Sequence, residues 1–120
     1  MGVGATEAVG RYGEDLAVRY LEQRAFTVLA RRWRCRRGEI DIVAVDDGCL
    51  VVVEVKTRRS LTAGTPEEAV TPAKIARLRL LTGLWLGQQQ GSWPAVRIDV
   101  VTVLLPRSGA ARITHLQGVE

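Results

Sequence analysis

Asp41, Glu54 and Lys56 are the residues of this chain whose types and spacing point most directly to chemistry. They border two β-branched apolar runs, Ile40 to Val45 and Leu50 to Val55, which flank Asp47-Gly48. Asp-Gly between such runs predicts a hairpin closed by a two-residue type I′ turn. With Asp46 paired to Cys49, Asp41 falls opposite Glu54 and Glu39 opposite Lys56, and a period of two puts all four side chains on one face. Like charges directly opposite each other destabilise a sheet. Two facing carboxylates beside an ammonium group therefore ask for a reason, and a divalent cation is the simplest. Asp41 and Glu54 offer oxygen ligands and the carbonyl of Val55 a third, with waters and a substrate phosphate oxygen completing the shell in the manner of Mg²⁺.

Such an ion neutralises charge developing on a phosphoryl group and lowers the pKa of bound water. Lys56 would orient or help activate that water; an ammonium can give up its proton where a guanidinium cannot. Glu39 would pair with Lys56, and Glu14, from an earlier helix, would join the surroundings of the metal. The competing structural reading makes Glu39 and Lys56 a cross-strand ion pair. It leaves Asp41 facing Glu54 without an explanation.

The elements that must position these groups follow from the pattern of the chain. Val43, Val45, Leu50 and Val52 share the expected face of Asp41 and Glu54, while Ile42, Ala44, Val51, Val53 and Val55 occupy the other. Both faces are apolar, so the sheet should be covered on both sides. Met1 to Ala5 reads as a loose tail and Thr6 as the cap of a helix turning Val9, Leu16, Ala17, Tyr20 and Leu21 inward. Gly10 and Gly13 each cost that helix about 1 kcal/mol relative to alanine, which suggests close approach to another element. Periodicity alone puts Glu7, Arg11 and Glu14 on a solvated face.

Phe26 to Ala30 reads as a first strand, followed by Arg31, Arg32, Arg34, Arg36 and Arg37 interleaved with Trp33 and Cys35. This cluster suits phosphate contacts, with Trp33 available for packing or for stacking on a base. Beyond Lys56, the basic segment Thr57 to Gly64 carries Arg58 and Arg59 and could close over a ligand, with Gly64 as its hinge. Thr65-Pro66 marks a short turn, and Thr71-Pro72 starts a helix reaching about Gln90 that buries Ile75, Leu78, Leu81, Trp85 and Leu86. Lys74 and Arg77 sit in its first turns, where the helix dipole disfavours cations, and so are candidates for an anion contact. An ion pair with Glu67 or Glu68 is the ordinary alternative. Val96 to Leu104 is a strand on which Arg97 and Asp99 pair, and Arg112 to Leu116 adds an edge strand whose His115 is structural or superficial.

A length of 120 residues fits a single domain, and 47% hydrophobic with 25% charged residues fits a globular one. Seventeen basic against thirteen acidic residues leave a net charge of +4, which suits an anionic partner without identifying one. Lys56 and Lys74 are the two lysines; every other basic side chain is arginine. Cys35 and Cys49 are too few for a disulfide framework and lack zinc-site spacing, so free thiols in a reducing compartment are expected. No apolar stretch has the length of a membrane span. The expectation is a soluble cytoplasmic protein that does not engage membranes.

At these residues the sequence resembles the PD-(D/E)xK signature of restriction-endonuclease-like nucleases, through Asp41 and Glu54-Val55-Lys56. With Glu14 on the first helix it is similar to archaeal Holliday-junction resolvases. A closer resemblance is to the small bacterial YraN family, through Gly10 to Ala17, Arg31 to Asp41, Val52 to Arg59, Glu68 to Lys74 and Arg97 to Val100. The resemblance implies an α/β fold with an α-β-β-β-α-β core, a mixed central sheet flanked by helices. It also implies a Mg²⁺- or Mn²⁺-dependent phosphodiesterase site at Asp41, Glu54 and Lys56, with Glu14 and Glu39 assisting. Ile40 stands where the signature has proline. The resulting expectation is an endonuclease acting on DNA, branched or otherwise structured, set against a non-catalytic nucleic-acid-binding or adaptor protein that keeps the fold. A resolvase needs two active sites, hence a homodimer, for which an exposed Trp85 or Trp93 would be the place to look; a DNA-processing partner is the other expected association.

Overall fold

In the computed structural model the backbone is described for residues 3–59 and 64–120, and side chains for 7–59 and 64–120. Helix α1 (Val3–Gln23) is followed by strands β1 (Thr27–Cys35), β2 (Gly38–Asp46) and β3 (Cys49–Arg58), a 3₁₀ turn (Pro66–Ala69), helix α2 (Pro72–Gly87) and strands β4 (Ala95–Leu104) and β5 (Arg112–Leu116). The five strands form one mixed sheet in chain order. Only β3 and β4 run parallel, because α2 carries the chain back between them.

The hairpin forms as the Asp-Gly signal predicts. Asp47 and Gly48 both have positive φ, 48° and 81°, as a type I′ turn requires, and pairing runs from Asp46↔Cys49 to Ile42↔Val53. The two apolar faces are covered as expected. Ile42, Ala44, Val51 and Val53 pack with Val101 and Val103 against Ala17, Val18 and Leu21 of α1. Val43, Leu50 and Val52 pack with Ile98 against Leu78, Leu81 and Trp85 of α2.

Several boundaries differ from the sequence reading. Helix α1 begins at Val3, so Thr6 lies inside it rather than capping it, and residues 3–5 are helical rather than a tail; Met1 and Gly2 lie outside the described residues. Strand β1 continues past Ala30 to Cys35, since pairing with β2 (Arg31↔Ile42, Trp33↔Ile40) overrides the dense charge of that stretch. Helix α2 stops at Gly87, ahead of Gln90. Of the expected hinged segment, Thr57 and Arg58 belong to β3, and residues 60–63 lie outside the described residues. Thr71 does cap α2, accepting the Lys74 N–H at 3.2 Å. Trp85 is buried, not exposed, and Trp93 is half-buried, packing on it with ring centroids 5.5 Å apart.

Beyond the hairpin, Arg97 donates to Asp99 at 3.0 Å and to Asp46 at 2.9 Å. The fully buried Asp99 also receives the Gly118 N–H at 2.9 Å and lies 2.8 Å from His115 Nε2, whose Nδ1 is 3.1 Å from the Tyr20 hydroxyl. The predicted Arg97–Asp99 pair is thus one link of a buried network. His115 is structural: its side chain is 4% exposed, sandwiched by Tyr20 and Phe26.

Candidate active site

The cleft holding the charged end of the hairpin exists because two strands part there. The β2–β3 ladder ends at Ile42↔Val53, and the next donor of β3, the Val55 N–H, is taken at 2.8 Å by the Asp41 carboxylate Oδ2 instead of by backbone. The N–H and C=O of a strand residue point toward the same neighbour, so the Val55 carbonyl also faces the β2 side, beside Asp41. The opening has a volume of about 440 Å³. Asp41, Glu39, Val55, Lys56 and Thr57 line it from the sheet, and Glu14 with Arg11 from α1.

Strict alternation fails where the strands part. Ile40 and Val43, three residues apart, both pack toward α2, as do Ala30 and Trp33 on β1. By the β1–β2 register Arg32 stands across from Asp41, and its φ of 51° is the left-handed conformation that shifts the phase of the strand. The expectation that Glu39, Asp41, Glu54 and Lys56 all share one face is corrected accordingly. Asp41 and Glu39 open toward α1, whereas Glu54 turns to the α2 side, where Lys74 Nζ meets its Oε2 at 3.0 Å. Glu39 pairs with Arg34, at 3.5 Å, rather than with Lys56. That removes the purely structural Glu39–Lys56 reading.

Glu14 does not lie on a solvated face. It is buried, and its carboxylate accepts Arg31 Nε at 3.1 Å and Arg32 Nε at 3.2 Å, while Arg31 also holds Asp15. The close approach predicted for the helix glycines occurs at Gly13 alone: a Cβ there would come within 2.8 Å of Thr57 Cβ, whereas at Gly10 it would meet nothing within 4 Å. Gly13 lets α1 settle on β3, and so brings Glu14 to the cleft.

Burial, with the Glu54 and Glu14 charges nearby, pushes the Asp41 carboxyl up to about 7, against the opposing pull of the Val55 N–H. Desolvation, helped by Arg58 and Lys74, holds the Lys56 ammonium below its ordinary value, although Glu54 works the other way. The hard donors at the gap are the Asp41 carboxylate and the Val55 carbonyl; Glu54 is near enough to raise the Asp41 pKa but is turned to Lys74, so a divalent cation held by both carboxylates would have to displace the Lys74 contact. No group of three His, Cys, Asp or Glu side chains forms a ready cage among the described residues.

The basic residues separate into two sets. Arg31, Arg32 and Lys74, read as nucleic-acid contacts, hold Glu14, Asp15 and Glu54 in the folded chain. Arg36, Arg37, Arg58 and Arg59 are exposed and have no carboxylate partner among the described residues, and Arg34 is 78% exposed despite its contact with Glu39. Trp33 takes the packing role: it lies against the α2-side core and donates Nε1 to Gln88 at 3.3 Å. Sequence reasoning missed that Lys74 would serve Glu54. The available signal was its unfavourable place in the first turn of a helix.

No helix among the described residues is long and apolar enough to cross a membrane. The profile of Uncharacterised protein family UPF0102 matches residues 13–103, a span that includes Glu14, Asp41, Glu54 and Lys56. A UPF0102 protein of Kineococcus radiotolerans is 59% identical over 119 residues, covering 98% of each chain. Others are similar over nearly their whole length: one from Mycolicibacterium vanbaalenii at 50% identity, covering 98% of each chain, and one from Beutenbergia cavernae at 54%, covering 96% of this chain and 98% of that one. With a profile match over most of its length and relatives this near, the chain belongs to the UPF0102 family, the YraN family that its motif blocks resemble.

Proposed function

We propose that this protein is a metal-dependent endonuclease that hydrolyses phosphodiester bonds in DNA at the fork between β2 and β3. The observation that carries the reading is Asp41 bonded to the Val55 amide at the point where the strands separate, with Glu54 close enough to raise its pKa and Lys56 lining the same cleft. Asp41, Glu54 and the Val55 carbonyl would hold Mg²⁺ or Mn²⁺. The bound ion would supply charge neutralisation at the phosphoryl group and an acidified water. Lys56 orients the attacking water or stabilises the phosphoryl oxygens, and its lowered pKa eases proton exchange with that water. Glu14 adds negative charge beside Asp41 while Arg31 and Arg32 fix its position. The exposed arginines Arg34, Arg36, Arg37, Arg58 and Arg59 supply sequence-independent attraction for the phosphate backbone.

The test is cleavage of labelled linear, flapped, single-stranded and four-way-junction DNA with Mg²⁺ or Mn²⁺, comparing wild type with Asp41→Asn and Glu54→Gln. The expected result is cutting that needs the metal and is lost in both variants. The second reading, a nucleic-acid-binding protein without catalysis, is favoured by Lys74, whose ammonium already neutralises Glu54. It predicts DNA binding that both substitutions leave intact, with no cutting under any metal condition.

A further inference from the structure

A second opening, of about 310 Å³, lies beyond Lys56 at the carboxyl ends of the parallel strands. Its residues follow from the register. Lys56 pairs with Thr102 and Thr102 with Thr114; two positions further on, Arg58 pairs with Leu104 and Leu104 with Arg112. A step of two keeps both rows on one face, so three cations and two hydroxyls converge across three adjacent strands. Pro66 of the 3₁₀ turn forms part of the wall, and among the described residues no carboxylate lines the opening, although the Glu68 carboxylate of that turn lies against Gly64, which does. Neither Arg58 nor Arg112 has an ion-pair partner among the described residues, in contrast to Arg31, Arg32 and Arg97. Among the described residues, Lys56 alone lines both this opening and the cleft of Asp41.

We infer that this opening binds a phosphate group, held by Arg58, Arg112, Thr102 and Thr114, and that the phosphate belongs to the nucleic-acid strand whose neighbouring phosphodiester enters the Asp41 cleft. Guanidinium forks match phosphate oxygens in planar, bidentate geometry, and the threonine hydroxyls add donors that need no charge. Lys56, standing between the two openings, sets the register of the strand. The placement on the strand rests on the nuclease reading; the phosphate chemistry of the pocket does not.

The test uses the Asp41→Asn protein in EDTA, so that nothing is cut, and follows the anisotropy of a labelled single-stranded oligonucleotide at increasing KCl. Adding Arg58→Ala and Arg112→Ala should weaken binding about tenfold at low salt. It should also make the slope of log K against log salt shallower by roughly 0.7 per lost contact. Arg112→Lys, which keeps the charge, should recover most of the slope, and Arg79→Ala, on α2, should change neither quantity. A misfolded variant would lose binding without this charge-dependent recovery. Unchanged affinity and slope in the double variant, with wild type still cutting DNA, would overturn the pocket and leave the nuclease standing. If wild type neither binds nor cuts, but inorganic phosphate raises its melting temperature and not that of Arg58→Ala/Arg112→Ala, the phosphate site stands, its source is a free anion, and the nuclease reading falls.

Discussion

Lys74 Nζ lies 3.0 Å from Glu54 Oε2, so the first turn of α2 delivers a cation to one of the two carboxylates proposed to hold a metal. A metal ion bound there would compete with Lys74 for the same oxygen. Lys74→Met should therefore tighten Mn²⁺ binding roughly fivefold, equivalent to about 1 kcal/mol for a partly exposed charge pair. Titration calorimetry of the metal into both proteins checks this, and Glu54→Gln in the Lys74→Met background should cancel the gain. Weaker binding in Lys74→Met would instead make Lys74 a residue that positions Glu54.

The Asp41 carboxyl is pushed up to about 7 from an ordinary 3.8, so below that pH the metal-free fold favours its protonated form. The sign follows from linkage. The associated stability is fully present below pH 3.8 and is lost progressively as the pH rises to about 7, where the buried group must ionise. Asp41→Asn keeps an acceptor for the Val55 N–H and carries no charge. In EDTA it should be more stable than wild type at pH 8, by on the order of 1–3 kcal/mol, with the difference vanishing toward pH 4. Urea denaturation at both pH values measures it; equal stability at pH 8 would show that Asp41 ionises in the fold without penalty.

Gly13 and Gly10 stand in one helix and should respond with opposite signs. Gly13→Ala drives a methyl group to within 2.8 Å of Thr57 Cβ and should cost about 1–3 kcal/mol. Gly10→Ala meets nothing within 4 Å and should stabilise by roughly 0.5–1 kcal/mol through helix propensity. Thermal melts of the two variants distinguish them. Thr57→Gly should recover part of the Gly13→Ala loss, because it removes the atoms in conflict.

Burial pushes the Asp99 carboxyl up, but its hydrogen bonds with His115, Arg97 and the Gly118 N–H prevail and hold it below the usual range. Its contribution is present above pH 3.8 and lost as the pH falls through the lower folded value. Asp99→Ala leaves Arg97 and His115 without their shared acceptor and should destabilise by roughly 3–5 kcal/mol at neutral pH. Chemical denaturation across pH 3 to 7 should show the deficit narrowing toward the acid end.

The order of elements and the hairpin were legible in the chain because their causes are local. Asp47-Gly48 accepts positive φ at both positions, and the alternating valines and isoleucines carry the register from Asp46↔Cys49 to Ile42↔Val53. The same runs announced two covered faces, and Thr71-Pro72 announced the start of α2. What local pattern could not supply was the end of the pairing. Asp41 reads as one more position of a regular strand, and only the packing of α1 and α2 on opposite sides of the fork turns it toward α1 and Glu54 toward Lys74.

Sequence by itself singled out the side chains proposed to carry the chemistry: Asp41, Glu54 and Lys56, with Glu14 and a surplus of arginine. Tertiary structure decided which charges remain available. Arg31 and Arg32 look equivalent to Arg36, Arg58 and Arg112 in the chain, and Lys74 is set apart only by its place in a first helical turn, yet these three are held by Glu14, Asp15 and Glu54. The physical reason is distance along the chain. Seventeen residues separate Glu14 from Arg31 and twenty separate Glu54 from Lys74, so each pairing exists only once a helix has docked on the sheet, and no short-range pattern encodes it.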